Sequence, residues 1–204
     1  MSLDRKINRI QFLSGNSLKV IAVLTMLIDH LCKIVLQWLL SNYWGAMADN
    51  GQMSWERFRE IDYFIRFDLQ SIGTIAFPLF CFLLAEGFQH TRSKKRYIGL
   101  MLAFALISEV PFDIGFFSAY SRMEGTFPFY LKYQNVFFTL FLGLLTLVCL
   151  ERFSCKSDLP VDRIKSAVLQ VLSVVLFSGI AEGIHCDYGM QGILFISAFY
   201  ICRN

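Results

Sequence analysis

Six stretches of the chain are apolar almost from end to end, and polar or charged residues gather between them. They cover residues 18–40, 72–88, 97–117, 136–150, 166–181 and 188–202. A hydrocarbon core about 30 Å thick needs about 20 helical residues, with a usable range of about 17–25. The pattern therefore predicts an all-α polytopic transmembrane bundle of about six helices, built as one integral membrane domain over residues 1–204. The fourth and sixth stretches are short and are expected to tilt, thin the bilayer or recruit flanking residues. The connection at 41–71 is long. Within it, residues 54–66 mix Trp55, Phe58, Ile61, Tyr63 and Phe64 with charges of both signs, the pattern of an amphipathic interfacial helix. The connection at 118–134 contains Gly125 and Pro128 and is expected to be irregular.

Composition agrees with this pattern. Apolar residues make up 55% and charged residues 17%, against roughly 25% charged in a soluble domain. The net charge is only +3, and no basic block with interleaved aromatics points to nucleic acid. Membrane lipids are the expected surroundings. Six cysteines are present without a CxxC pair, so they read as small packing residues. The first apolar run is too long for the h-region of a cleavable signal and reads as a membrane helix.

The cations give the orientation. Thirteen lie on one side: Arg5, Lys6, Arg9, Lys19, Arg92, Lys94, Lys95, Arg96, Arg152, Lys156, Arg163, Lys165 and Arg203. Five lie on the other: Arg57, Arg59, Arg66, Arg122 and Lys132. The positive-inside rule then puts both termini in the cytoplasm, as for a multi-pass protein of the inner membrane.

Ionisable residues at membrane depth cost roughly 2.5–3.5 kcal/mol each on insertion scales, so they are usually paired or functional. On the first helix, Thr25, Asp29, Lys33 and Gln37 share one stripe, with His30 beside it. An Asp29–Lys33 ion pair could lock the bundle, or Asp29 could orient His30 as a base or nucleophile. On the third helix Glu109 and Asp113 share a face, with Pro111 between them. At ~1.5 Å per residue, His30 and Glu109 each fall about 12 residues into their helices, so similar depths are expected. The two carboxylates would serve a reaction or ion site, or be counter-charges for Lys33. Glu86, His90 and Arg92 lead into Lys94, Lys95 and Arg96. This edge could hold a phosphate-bearing cofactor, or simply obey the positive-inside rule. Gln134 and Asn135 open the fourth helix, and Glu182, His185, Asp187 and Tyr188 form the last turn. His185 and Asp187 have a spacing too unspecific for a metal site, and no metal is expected.

Several runs together resemble the TraX family. They are residues 18–30, ending Ile28-Asp29-His30; residues 76–92, with Ala76-Phe77-Pro78 and Ala85-Glu86-Gly87-Phe88; residues 105–113; residues 134–140; and Asp187-Tyr188-Gly189. This chain carries Gly73-Thr74 where the family has Gly-Arg, and its sixth helix is expected to end early relative to the family. The resemblance implies a transmembrane acyltransferase that moves an acetyl group from acetyl-CoA to a pilin-like peptide, or another envelope acceptor, as in conjugation systems. His30 would be base or acyl carrier, helped by Asp29, Glu109 and Asp113. Glu86, His90, Arg92, Lys95 and Arg96 would meet the acetyl-CoA, while Lys33, Gln134, Asn135 and Asp187 would meet the acceptor. A proton-coupled transporter using the same ionisable residues, or a non-catalytic membrane subunit of a conjugation or secretion apparatus, is the alternative reading.

Overall fold

A computed structural model describes residues 14–155, 157 and 159–203. Arg5, Lys6, Arg9 and Lys156, counted above among the inner cations, lie outside the described residues. Among the described residues the chain is all-α, with six helices and no strand. They are α1 Gly15–Asp49, α2 Trp55–His90, α3 Lys94–Met123, α4 Val136–Arg152, α5 Pro160–Gly183 and α6 Gly189–Arg203. By length and composition α1, α2, α3 and α5 can each cross a membrane. The other two, α4 with 17 residues and α6 with 15, are shorter. Two compact units form, residues 1–83 and 84–204, and the boundary falls within α2.

The first unit corrects one sequence expectation. The stretch expected at 54–66 is helical from Trp55, but it opens α2 and does not stand alone in a long connection. Helix α1 runs on to Asp49 and α2 already begins at Trp55, leaving only residues 50–54 between them. At ~1.5 Å per residue, these helices of 35 and 36 residues are roughly 50 Å long, well beyond the hydrocarbon core. Side chains sustain the polar part of α1: Ser41 Oγ donates to Gln37 O at 3.0 Å and Asn42 Nδ2 to Trp38 O at 2.9 Å. Ser54 caps α2 by accepting from Arg57 N at 3.2 Å. Three stretches are wound as π-helix: Leu31–Leu36 and Leu40–Trp44 in α1, and Phe64–Leu69 in α2. Between them Cys32, Leu40 and Ile65 form a buried core, with Ile28, Leu36, Trp44, Phe58, Ile61 and Leu69 packed against it. Pro78 has no N–H for the carbonyl of Thr74, and the chain makes a turn at Ile75, whose N donates to Ile72 O at 3.3 Å.

In the second unit α4 is the central element. It packs against α3, α5 and α6. Thr139, Leu140, Leu142, Gly143, Leu144, Thr146, Leu147 and Leu150 are all buried. By contrast α5 exposes Val168, Leu172, Val175 and Leu176, the surface expected of a helix solvated by lipid. Pro160 starts α5 at a position where its missing N–H costs nothing. Gln170 Nε2 then donates to Leu150 O at 3.0 Å, tying α5 to the end of α4. The stretch at 118–134 is irregular only from residue 124, because α3 continues to Met123.

A Cβ on Gly143 would strike the side chain of Ile196, which is itself fully buried. Gly143→Val should therefore lower stability by about 1–3 kcal/mol through overpacking. Gly99→Ala, where the added Cβ meets nothing within 4 Å, should be neutral or stabilising by up to about 1 kcal/mol. Thermal unfolding of both variants in detergent checks the contrast.

Candidate functional site

The polar stripe of α1 begins with Thr25, whose hydroxyl donates back to Ile21 O at 2.9 Å and Ala22 O at 3.1 Å. Asp29 follows, 8% exposed, with Oδ2 accepting from Lys33 Nζ at 2.8 Å. The ion pair read from the spacing is present. Asp29 does not hydrogen-bond the His30 ring: Oδ2 stays 3.9 Å from Nδ1, and Nδ1 bonds instead to Met26 O at 3.0 Å. A carbonyl can only accept, so Nδ1 carries a hydrogen, and in the neutral ring the lone pair belongs to Nε2. Helix α2 closes on this group at Gly73. A Cβ there would lie 2.5 Å from Asp29 Cβ and 2.8 Å from its Cα. Asp29 Oδ1 is buried and has no hydrogen-bond partner among the described residues. Sequence reasoning noted Gly73 only as a neighbour of a missing cation. Its structural role is to let α2 pass against Asp29.

In the second unit the structure brings Glu109, Asp113, Gln134, Asn135 and Asp187 into one polar end. Asn135 is 2% exposed. Its Nδ2 donates to Ala105 O at 2.8 Å and to Glu109 Oε2, while Oδ1 caps α4 by accepting from Phe137 N at 2.9 Å. Glu109 Oε2 also accepts from Asn135 N at 3.3 Å. Asp113, fully buried, accepts from Tyr130 N at 2.7 Å. Both carboxylates thus hold the 124–135 segment onto α3. Glu109 Oε1 and Asp113 Oδ1 remain buried without a hydrogen-bond partner among the described residues. The backbones of Gln134 and of the α5–α6 turn pair directly: Gln134 N donates to His185 O at 3.0 Å and Asp187 N to Gln134 O at 2.9 Å. Thr139 Oγ1 donates to Asp187 O, and Tyr133 OH donates to Asp187 Oδ1 at 3.2 Å. The turn needs left-handed backbone at His185 and Tyr188, with φ of 52° and 62°. Gly189 follows, itself at a positive φ of 36° that disfavours any side chain.

Burial raises two groups at this turn: the Tyr133 phenol to about 12, helped by the charge of Asp187, and the Cys186 thiol to about 11. Both are protonated near neutral pH. Nearby, Lys132 pairs with Glu124 at 2.6 Å, and that bond raises its pKa. Gln134 Nε2 donates to Leu131 O at 2.9 Å, so that side chain is engaged locally. Tyr130, Tyr133, Thr139 and Glu124 were not singled out from sequence. Their partners lie 8 to 54 positions away, beyond the reach of helical spacing.

The turn between α2 and α3 divides the residues expected to meet a cofactor. Glu86 pairs with Arg203 at the end of α6 and lies 3.4 Å from His90 Nδ1. Lys94 pairs with Glu151 of α4 and sits over the Phe88 ring at 4.6 Å. Arg92, Lys95 and Arg96 are exposed and make no ion pair among the described residues. Arg203 and Glu151 are the partners that local sequence reading had no means to assign. No group of three or more His, Cys, Asp or Glu side chains could hold a metal ion among the described residues.

Apolar helices of membrane length, carboxylates held on buried backbone and an intrahelical ion pair define a polytopic helical membrane protein. Residues 14–204 match the family described as TraX protein, and the chain belongs to that family. It is also similar to a probable fimbrial assembly protein FimC, serogroup H1, of Dichelobacter nodosus, at 29% identity over 186 residues. The match covers 89% of this chain and 59% of that relative, so the chain spans only about three fifths of the relative's length. No solved structure matches.

Removing Lys33 would leave the Asp29 carboxylate buried without its cation. Lys33→Met should therefore destabilise by up to about 3 kcal/mol. Adding Asp29→Asn should recover a large part of that loss. Additive losses in chemical denaturation of the two single variants and the double would refute the pairing.

Proposed function

We propose that this protein is a membrane-embedded acyltransferase of the inner membrane, with both termini cytoplasmic. It would carry acetyl from acetyl-CoA to the N-terminus of a pilin-like peptide or to another envelope acceptor. The observation that carries the reading is the hydrogen bond from His30 Nδ1 to Met26 O at 3.0 Å, which makes Nε2 the basic nitrogen of the neutral ring within a membrane-length helix. As general base, Nε2 takes the proton of the acceptor amine while its nitrogen attacks the thioester carbonyl. The C–S bond then breaks, the amide remains on the acceptor, and the proton passes to the departing CoA thiolate. Asp29, held by Lys33 at 2.8 Å, positions this stretch of α1. Glu109 and Asp113 position the segment that leads into α4.

In the second unit, Arg92, Lys95 and Arg96 supply the charge that phosphates of acetyl-CoA require. Their lack of acidic partners among the described residues supports that role, whereas Glu86 and His90 are engaged with Arg203 and each other. Similarity to a probable fimbrial assembly protein supports an acceptor from a surface appendage.

Acetyl transfer from labelled acetyl-CoA, measured in membranes, tests the reading. His30→Ala should slow transfer about 10²–10⁴-fold, the usual contribution of a general base. A variant that transfers as fast as the parent refutes the mechanism. Replacing Arg92, Lys95 and Arg96 together by Ala should raise the KM for acetyl-CoA with a smaller change in kcat.

A further inference from the structure

The first unit holds a second feature that the transfer reading does not use. A groove of about 490 Å³ runs between the far part of α1 and the beginning of α2. Its walls are Leu36, Trp44, Ile61, Phe64, Ile65 and Leu69. Each of the three π-wound stretches contributes to it: Leu36 from the first, Trp44 from the second, and Phe64, Ile65 and Leu69 from the third. Such windings are rare and are frequently found where a helix serves a site. At the rim Arg57 and Glu60 face each other, Nη1 to Oε2 at 2.9 Å, and both side chains are exposed.

We infer that this groove binds one acyl chain of a phospholipid whose headgroup joins a phosphate to a primary ammonium. Three observations select that occupant. The volume lies within the roughly 300–1,000 Å³ of small-molecule sites, whereas a peptide helix about 10–12 Å across would fill it in roughly one turn. The walls are apolar, and among the described residues the only charged ones lining it supply one guanidinium and one carboxylate, which match a phosphate and an ammonium side by side. Trp38, Tyr43, Trp55 and Tyr63 are exposed on the same parts of the two helices. Trp and Tyr concentrate at the level of lipid headgroups, so the rim stands where a headgroup would be.

The chain has three tryptophans, and Trp44 is the one in the groove. The test is therefore fluorescence of the full chain carrying Trp38→Phe and Trp55→Phe, in vesicles containing lipids brominated on the acyl chain. Brominated phosphatidylethanolamine diluted into plain phosphatidylcholine should quench Trp44 beyond its bulk fraction. The preference over brominated phosphatidylcholine should reach up to about fivefold, the size of a surface ion pair. Arg57→Ala with Glu60→Ala should remove the preference while leaving quenching, and Ile61→Phe should weaken quenching with helical content unchanged. Quenching that follows the bulk fraction for every headgroup would show ordinary lipid contact and overturn the proposal. So would an absence of quenching, or a peptide co-purifying in the groove.

Discussion

Hydrocarbon offers no hydrogen bonds, so whatever polar groups the chain carries into the membrane must find partners within the protein. That constraint orders much of what is seen here. Asp29 takes its cation from one turn further along the same helix. Glu109 and Asp113 take backbone and amide N–H groups from a segment far away in sequence. Because those carboxylates fix residues 130 and 135, they also fix where α4 starts. Because Gln134 then pairs with the α5–α6 turn, that turn is fixed in its place too. One helix with two acids thus organises two connections of the second unit.

The helix count was legible because hydropathy reports burial in lipid directly. The helix lengths were not. Hydropathy falls at Leu40, where the sequence becomes Ser41-Asn42-Tyr43, yet the backbone continues as helix to Asp49. Ser41 and Asn42 return their side chains to carbonyls one turn back, which suits a helix leaving hydrocarbon. A rule that ends a helix where apolar residues end will always clip such projections.

The buried polar residues were legible from the sequence, but most of their partnerships were not. Spacing of four correctly joined Asp29 to Lys33. It said nothing about His30, whose Nδ1 chose the Met26 carbonyl because adjacent helical residues diverge by about 100°. It also offered Glu109 and Asp113 as groups waiting for a substrate. Their other role, as anchors for Asn135 and Tyr130, depends on contacts 26 and 17 residues away that no helical period encodes. The same limit hid Arg203 from Glu86 and Glu151 from Lys94.

One signal was in the sequence and can be read in retrospect. In α1, Cys32, Leu36, Leu40, Trp44 and Ala48 recur every four residues and are buried or packed on the core. In α2, Ile61, Ile65, Leu69, Gly73, Phe77, Cys81 and Ala85 do the same. A straight α-helix turns 3.6 residues per turn, so a four-residue stripe drifts by about 40° at each step. Over four steps it would wander to the opposite face. A repeat longer than 3.6 demands an underwound helix, the same logic by which an eleven-residue repeat reverses a supercoil. Stretches with i→i+5 bonding supply that underwinding, and they occur within Leu31–Trp44 and Phe64–Leu69. The period therefore explains why α1 and α2 depart from regular winding, and why the departures line one groove. Shortening the repeat of either stripe towards 3.6 residues would remove the need for them, and with it the shape of the groove between these parts of α1 and α2.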